Sequence, residues 1–186
     1  MPLNPDSFIF SKLSESSNVS SFLCSEYRDL EEFLKDDAKN YHREKIATTY
    51  LVHSETNLIG YYSIAMRCVV SEQVQNMIGE VRFTPKRFPA LLLAKMATQD
   101  GLRGQGIGQE MLARVFSTAF RLCSHIGCRF IKVDAKNNPG TIHFYEKYGQ
   151  FKKIPIGEGG DTIPMIVDLN KVYRDDTRLA RLSEFN

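Results

Sequence analysis

The segment MATQDGLRGQGIG, residues 96–108, decides the fold. The apolar run Ala90–Ala97 leads into it and predicts a buried central strand, because it is too short for a helix. From Gln105 to Cys123, apolar side chains recur with the period of a helix that faces a sheet. The chain therefore passes from a strand through a glycine-rich loop into a helix, whose start presents unpaired backbone N–H groups and the positive end of the dipole.

The spacing of the glycines in this loop narrows the choice of ligand. Glycines let a backbone approach an anion closely, and a pyrophosphate is the obvious ligand of such a helix start. The Walker pattern fails because no Gly-Lys-Ser/Thr follows, and G-x-G-x-x-G fails because Gly104, Gly106 and Gly108 are spaced by twos. The pattern that remains is Arg103-x-x-Gly106-x-Gly108. Its alternative interpretation is a glycine-rich turn before a structural helix.

Composition excludes several other classes of protein. The chain has 186 residues, 42% hydrophobic and 25% charged, which is typical of one globular domain and not of a disordered, collagen-like or membrane-spanning chain. No basic segment followed by an apolar one opens the sequence, so we expect no signal peptide and no membrane partner. The four cysteines form no C-x-x-C pair, which predicts reduced thiols in a cytoplasmic protein and no metal site.

A second motif, NPGTIHFYEKYG at residues 138–149, follows the predicted strand Arg129–Asp134. It predicts a short helix, with Asn138 as the N-cap residue and Pro139 at the first helical position.

The rest of the chain predicts a sheet with helices packed on it. We expect Val70–Pro89 to be an exposed connection, and we expect one domain over residues 1–170 followed by a charged tail, residues 171–186. The order of elements is that of an α+β or α/β protein. The other expected elements are the helix Asp29–Tyr41 and the strands Ser7–Phe10, Thr48–His53, Leu58–Arg67, Phe151–Ile154 and Thr162–Leu169.

The two motifs, in this order, resemble those of the GNAT family of N-acetyltransferases. Residues 103–108 are similar to the family's loop for the pyrophosphate of acetyl-CoA. Residues 138–149 resemble its N-x-x-A-x-x-F-Y-x-x-x-G segment, with Thr141 in place of Ala and Gln150 interrupting the usual Gly-Phe. The resemblance implies a GNAT fold, with a central mixed, mostly antiparallel sheet of six to seven strands, splayed fourth and fifth strands and about four flanking helices. It also implies acetyl-CoA as the donor, and no metal.

The resemblance assigns roles to individual residues. The backbone of Met96 and Thr98 would pair with the pantetheine arm, and a backbone N–H near Met96 would polarise the thioester carbonyl. Tyr145 would protonate the leaving CoA thiolate, unless it is a core tyrosine packed on the sheet. Asn138 would contact the cofactor arm or only cap its helix. The implied cofactor-binding residues are Met96, Ala97, Thr98, Arg103, Gly104, Gln105, Gly106, Ile107, Gly108 and Asn138.

Residues 24–38, 47–52 and 59–64 are similar to the branch of the family that contains the toxins of bacterial toxin–antitoxin pairs. That similarity implies acetylation of the α-amine of aminoacyl-tRNA to block translation, a ribbon-helix-helix antitoxin as partner, and a homodimer. Between Arg103 and Lys136, six basic side chains stand against two acidic ones; this excess could hold tRNA phosphates or form an ordinary solvated surface. The alternatives are an acetyltransferase of small-molecule or protein amines, and a non-enzymatic CoA-binding or interaction module.

Overall fold

Seven strands form one sheet, in the order β1-β2-β3-β4-β5-β7-β6. The computed structural model describes residues 3–78, 85–155 and 160–175, with side chains up to residue 172. The strands are β1 Phe8–Lys12, β2 Thr48–Ser54, β3 Asn57–Val70, β4 Arg87–Thr98, β5 Phe130–Lys136, β6 Lys152–Lys153 and β7 Thr162–Asp168.

Two long helical segments and several short ones accompany the sheet. The first segment is continuous from residue 28 to residue 43, because a π-helical turn, Phe33–Asp37, joins α1 to α2. A 3-10 turn, Pro5–Ser7, precedes β1. The helices are α1 Arg28–Glu32, α2 Ala38–Arg43, α3 Ser71–Val74, α4 Ile107–Cys123, α5 Pro139–Gly149 and α6 Leu169–Asp175.

Strand pairing confirms the predicted mixed, mostly antiparallel sheet. The pairs β1–β2, β2–β3, β5–β7 and β6–β7 are antiparallel, whereas β4–β5 is parallel. The parallel register covers Ala90–Leu93 against Phe130–Val133. Both strands continue beyond it, and β5 stays paired with β7 as far as Lys136. The fourth and fifth strands therefore pair over four residues only, as the predicted splay requires.

The chain divides into two compact units. One consists of Met1–Ala65 and Ala94–Leu112, and the other of Met66–Leu93 and Ala113–Asn186. The strands β3 and β4 and the helix α4 each contribute to both units. One domain over residues 1–170 stays a prediction. Of the predicted tail, the first residues belong to α6 and residues 176–186 lie outside the described residues.

The core of the first unit lies under the continuous helix. The helix buries Leu30, Phe33, Leu34 and Ala38, whereas Tyr41 is 39% exposed. The Tyr61 hydroxyl donates to the Leu30 carbonyl oxygen at 2.6 Å, which attaches the helix to β3. Burial raises the pKa of Tyr61. Apolar packing and this buried hydrogen bond both contribute to holding the helix in place.

The core of the second unit corrects one expectation. We expected Val70–Pro89 to be an exposed connection, but the described part of this segment buries Val74, Ile78 and Phe88. Val74 of α3, Ile78 just after it and Phe88 of β4 belong to one apolar cluster, in which the Phe88 and Phe130 rings meet edge to face at 5.6 Å. Residues 79–84 lie outside the described residues.

The strand predicted over Phe151–Ile154 is reduced to two residues, Lys152–Lys153. The Phe151 N–H donates to the Tyr145 carbonyl oxygen at 3.2 Å and not to the sheet, whereas the Ile154 N–H still donates to the Pro164 carbonyl oxygen of β7 at 2.9 Å. The side chains of Phe151 and Ile154 are both buried. No helix in the described part of the chain has the length and apolar character needed to cross a bilayer. Within the same residues, no group of three or more His, Cys, Asp or Glu side chains could hold a metal ion.

Candidate active site

The loop between β4 and α4 contains three glycines in the left-handed conformation. Gly101, Gly104 and Gly106 have φ of 75°, 79° and 83°, values that side-chain-bearing residues rarely adopt. A Cβ at Gly101 or Gly104 would meet nothing within 4 Å, so conformation and not space calls for glycine there. The loop delivers the chain to the first turn of α4, a helix of 17 residues. The orphan N–H groups and the helix dipole at this turn favour an anion.

The Arg103 side chain lies on this loop and is held by the segment Cys24–Tyr27. Its guanidinium forms an ion pair with the Glu26 carboxylate and lies over the Tyr27 ring, 5.5 Å from the centroid. Hydrogen bonds from Tyr27 and then from Arg103 lower the pKa of Glu26. Burial raises the pKa of the Cys24 thiol, and a backbone hydrogen bond from Tyr27 and the positive charge of Arg103 oppose that rise. The motif arginine therefore already has an anionic partner within the chain.

A second set of contacts fastens the same segment to the loop through its backbone. The Leu23 N–H donates to Gln99 Oε1 at 2.9 Å, and the Asp100 N–H donates to the Leu23 carbonyl oxygen at 2.9 Å. The Ser25 hydroxyl donates to Asp100 Oδ2 at 2.6 Å, and the Ser25 N–H donates to the same carboxylate. These bonds from Ser25 lower the pKa of Asp100. The position of the loop thus depends on a segment far away in the sequence.

The end of β4 alternates as a strand with one buried face. The Ala97 side chain belongs to the core of the first unit, whereas Met96 and Thr98 are half-buried. At Gly60 of β3, an added Cβ would lie 3.1 Å from the Ala97 carbonyl oxygen and 3.2 Å from Ile107 Cγ2. A side chain at this position would be crowded, because β3 passes directly beside the end of β4 and the start of α4.

The chain's N-terminal segment also contacts the loop. The Leu3 N–H donates to Gln105 Oε1 at 3.1 Å, and a Cβ at Gly106 would lie 3.9 Å from Pro5 Cγ. Gln105, predicted to bind the cofactor, therefore has a partner on the segment that precedes β1.

Asn138 caps α5, which was one of its two predicted roles. Its Oδ1 accepts the Thr141 N–H at 2.8 Å, and its Nδ2 donates to Thr141 Oγ1 at 2.9 Å. The hydroxyl of Thr141, at the position where the family motif has Ala, thus provides a partner for the amide of the cap. A contact between Asn138 and a cofactor arm stays a prediction.

Tyr145 is the buried tyrosine of α5. It is 5% exposed, and its ring packs edge to face on Phe144 and Phe151 at 5.2 and 5.4 Å. Burial raises its pKa. Its hydroxyl has no hydrogen-bond partner among the residues that the structure describes, yet no buried polar side-chain atom of that part lacks one. The Tyr145 hydroxyl oxygen is therefore not completely enclosed by the residues around it. Tyr148, one turn further on, is 41% exposed.

The predicted site residues fall into two groups. Residues 96–108 lie in the first unit, where the structure joins them to Cys24–Tyr27, and Asn138 and Tyr145 lie on or beside α5 in the second unit. Sequence analysis missed Glu26, Tyr27 and Asp100 as neighbours of Arg103. Asp100 lies within residues 96–108, and Glu26 follows two residues after Cys24. No pattern in the nearby sequence indicates that Asp100 contacts Ser25 or that Glu26 contacts Arg103.

Comparisons with known proteins bear on the family and the fold. A family model described as acetyltransferase (GNAT) domain matches residues 47–149. The tRNA-acetylating toxin of Mycobacterium tuberculosis is 23% identical over 136 residues, which cover 72% of this chain and 80% of that protein.

Two solved structures share the fold. AtaT complexed with acetyl-methionyl-tRNAfMet has a TM-score of 0.77 at 21% identity, over 90% of this chain and 98% of that one. A variant of the AtaT toxin bound to the C-terminus of the antitoxin AtaR and acetyl-CoA has a TM-score of 0.71 at 21% identity, over 92% and 99% of the two chains.

Proposed function

The chain belongs to the GNAT acetyltransferase family, and from this premise we propose that it transfers acetyl from acetyl-CoA to the α-amine of aminoacyl-tRNA, which blocks translation. The observation that carries the donor half is the loop at 101–106, where three left-handed glycines precede the first turn of α4. The acceptor half is supported by the similarity to a tRNA-acetylating toxin over most of both chains.

The proposed donor site consists of the loop and the end of β4. Backbone N–H groups from Arg103 to Gly108 would face the diphosphate of acetyl-CoA, because the positive end of the α4 dipole favours an anion. Exposed glycines at 101 and 104 leave room for it. The half-buried strand end at Met96 and Thr98 offers backbone groups to the pantetheine arm.

Tyr145 is the proposed general acid. The neutral amine attacks the thioester carbonyl carbon, an N–C bond forms, and the C–S bond breaks. The Tyr145 hydroxyl gives its proton to the departing thiolate, the amine loses its extra proton to solvent, and the tyrosine is protonated again from solvent. Burial raises the pKa of Tyr145, so the phenol keeps the proton that it must donate.

The acceptor amine needs little help from a general base. An α-amine has a pKa of about 7.7–8.0 and is substantially neutral near pH 8, whereas a lysine amine near 10.4 is not. This chemistry favours an α-amine acceptor. An antitoxin partner, a homodimer and a cytoplasmic location belong to the same proposal.

Transfer of labelled acetyl from acetyl-CoA to a pool of charged tRNA tests the proposal. We expect label on the aminoacyl end with wild-type protein, none on uncharged tRNA, and almost none with Tyr145→Phe. Tyr148→Phe is the matched control, because it removes an exposed hydroxyl from the same helix. Label on small amines or protein amines, with charged tRNA unmodified, would overturn the acceptor and keep the donor.

A further inference from the structure

The Arg103 side chain already has interaction partners within the chain. Its guanidinium contacts the Glu26 carboxylate and the Tyr27 ring. The two charged side chains are about half-exposed, at 48% for Arg103 and 54% for Glu26. The ion pair therefore stands in water, where an incoming anion can reach it.

The backbone on both sides of this ion pair is held without it. Leu23 and Ser25 are hydrogen-bonded to Gln99 and Asp100, and Glu31 Oε2 accepts the Cys24 N–H at 2.8 Å. The Glu26 side chain can therefore leave both Arg103 and Tyr27 by rotation about its own bonds, while the segment stays in place.

We propose that Glu26 is an internal counter-anion that occupies Arg103 until the diphosphate of acetyl-CoA displaces it, and that it thereby lowers the affinity for the donor. This inference rests on the proposed function, because it needs Arg103 in the diphosphate site. Carboxylates and phosphates bind the same planar fork of guanidinium donors, so the two anions compete. An exposed ion pair is weak, so the exchange is easy.

The displaced carboxylate continues to oppose the ligand. The backbone of Glu26 is anchored beside the loop, so its negative charge stays near a diphosphate of the same sign. Tyr27 does not repel the diphosphate in this way, because its ring contacts the guanidinium from the face and carries no charge. Glu26 is thus a positioning residue that sets how firmly the donor is held and how readily the CoA product leaves.

Calorimetric titration of the full chain with acetyl-CoA tests this role. We expect Glu26→Gln to tighten acetyl-CoA binding by about three- to tenfold. The variant loses both the ion pair with Arg103 that the diphosphate must displace and the repulsion between Glu26 and the diphosphate. Acetyl-pantetheine, which lacks the diphosphate, should bind both proteins equally. Glu15→Gln is the matched control: Glu15 is an exposed carboxylate of the same unit, paired with Arg43, and should leave both affinities unchanged.

A double-mutant cycle separates this role from a general structural one. With Arg103→Gln in place, Glu26→Gln should tighten acetyl-CoA binding less, because the competition for the guanidinium no longer exists. Equal or weaker acetyl-CoA binding by Glu26→Gln, in a wild-type background that binds acetyl-CoA, overturns this inference alone. Failure of the wild-type protein to bind acetyl-CoA overturns the proposed function itself.

Discussion

The glycine loop, residues 99–106, and the helix α5 differ in the exposure and the charge of their proposed functional groups. The loop is polar and open: Gly101, Arg103 and Gly104 are exposed, and its charges are paired with groups on a distant segment. On α5 the decisive group, Tyr145, is buried among aromatic rings and carries no charge.

The contrast follows from what each region must bind. A diphosphate needs accessible N–H groups and positive charge, and an exposed loop provides both. A general acid needs a proton that stays in place until it is used, and burial of a phenol provides that by destabilising the phenolate. Substitutions in the loop should therefore weaken binding of the donor, whereas loss of the Tyr145 hydroxyl should slow the transfer step.

The largest expected effect comes from Tyr145→Phe on α5. Loss of the proposed acid should slow acetyl transfer by about 10²-fold or more, because general acid catalysis contributes about 10²–10⁴-fold. Affinity for acetyl-CoA and the free energy of unfolding should change little, since the ring remains. Single-turnover rates and titrations measure the two quantities. A wild-type rate across the whole pH range would exclude Tyr145 as the acid.

The pH dependence of the transfer rate and of the stability tests the buried phenol of α5. Because burial raises the pKa of Tyr145, the transfer rate should not decline on the alkaline side until above pH 10, the ordinary value for tyrosine. The folded state also holds this proton more tightly than the unfolded state, so its contribution to stability is present below pH 10 and is lost above it. Rate and unfolding measurements between pH 8 and 11 check both statements. A decline that begins near pH 8 would contradict them.

A smaller effect is expected when a glycine of the loop is replaced. Gly104→Ala should lower the free energy of unfolding by about 1–2 kcal/mol, because the site demands a left-handed conformation. It should also weaken acetyl-CoA binding. Gly140→Ala on α5 is the matched control: its φ is ordinary and the added Cβ would lie 3.5 Å from Asn138 Oδ1. Urea denaturation of both variants should show a loss for the loop only.

The smallest expected effect concerns the end of α5. Gln150 adopts the left-handed conformation at φ 54° as the C-cap residue, where glycine is favoured. Gln150→Gly should therefore raise the free energy of unfolding by about 0.5–1 kcal/mol. Thermal unfolding should shift upward by about 2–4 °C per kcal/mol for a chain of this size. A lower melting temperature would show that the Gln150 side chain itself stabilises the cap.

Much of the fold was predictable because it is encoded over short distances. The helix period of residues 105–123 and the N-cap at Asn138 each depend on neighbours within a few residues, and the structure confirms both. The connection Val70–Pro89 was predicted wrongly, because its few apolar residues have no period of their own and are buried only by the sheet that they meet.

The amino-acid sequence alone was enough to predict the strand–loop–helix order around residues 96–108 and the position of Tyr145 in its short helix. Only the tertiary structure decided that Glu26 meets Arg103 across 77 positions of the chain, that Ser25 holds Asp100, and that Tyr145 is buried. The physical reason is range. Backbone conformation and helix capping are set by neighbouring residues, whereas burial and ion pairing depend on which distant segments the folded chain brings together.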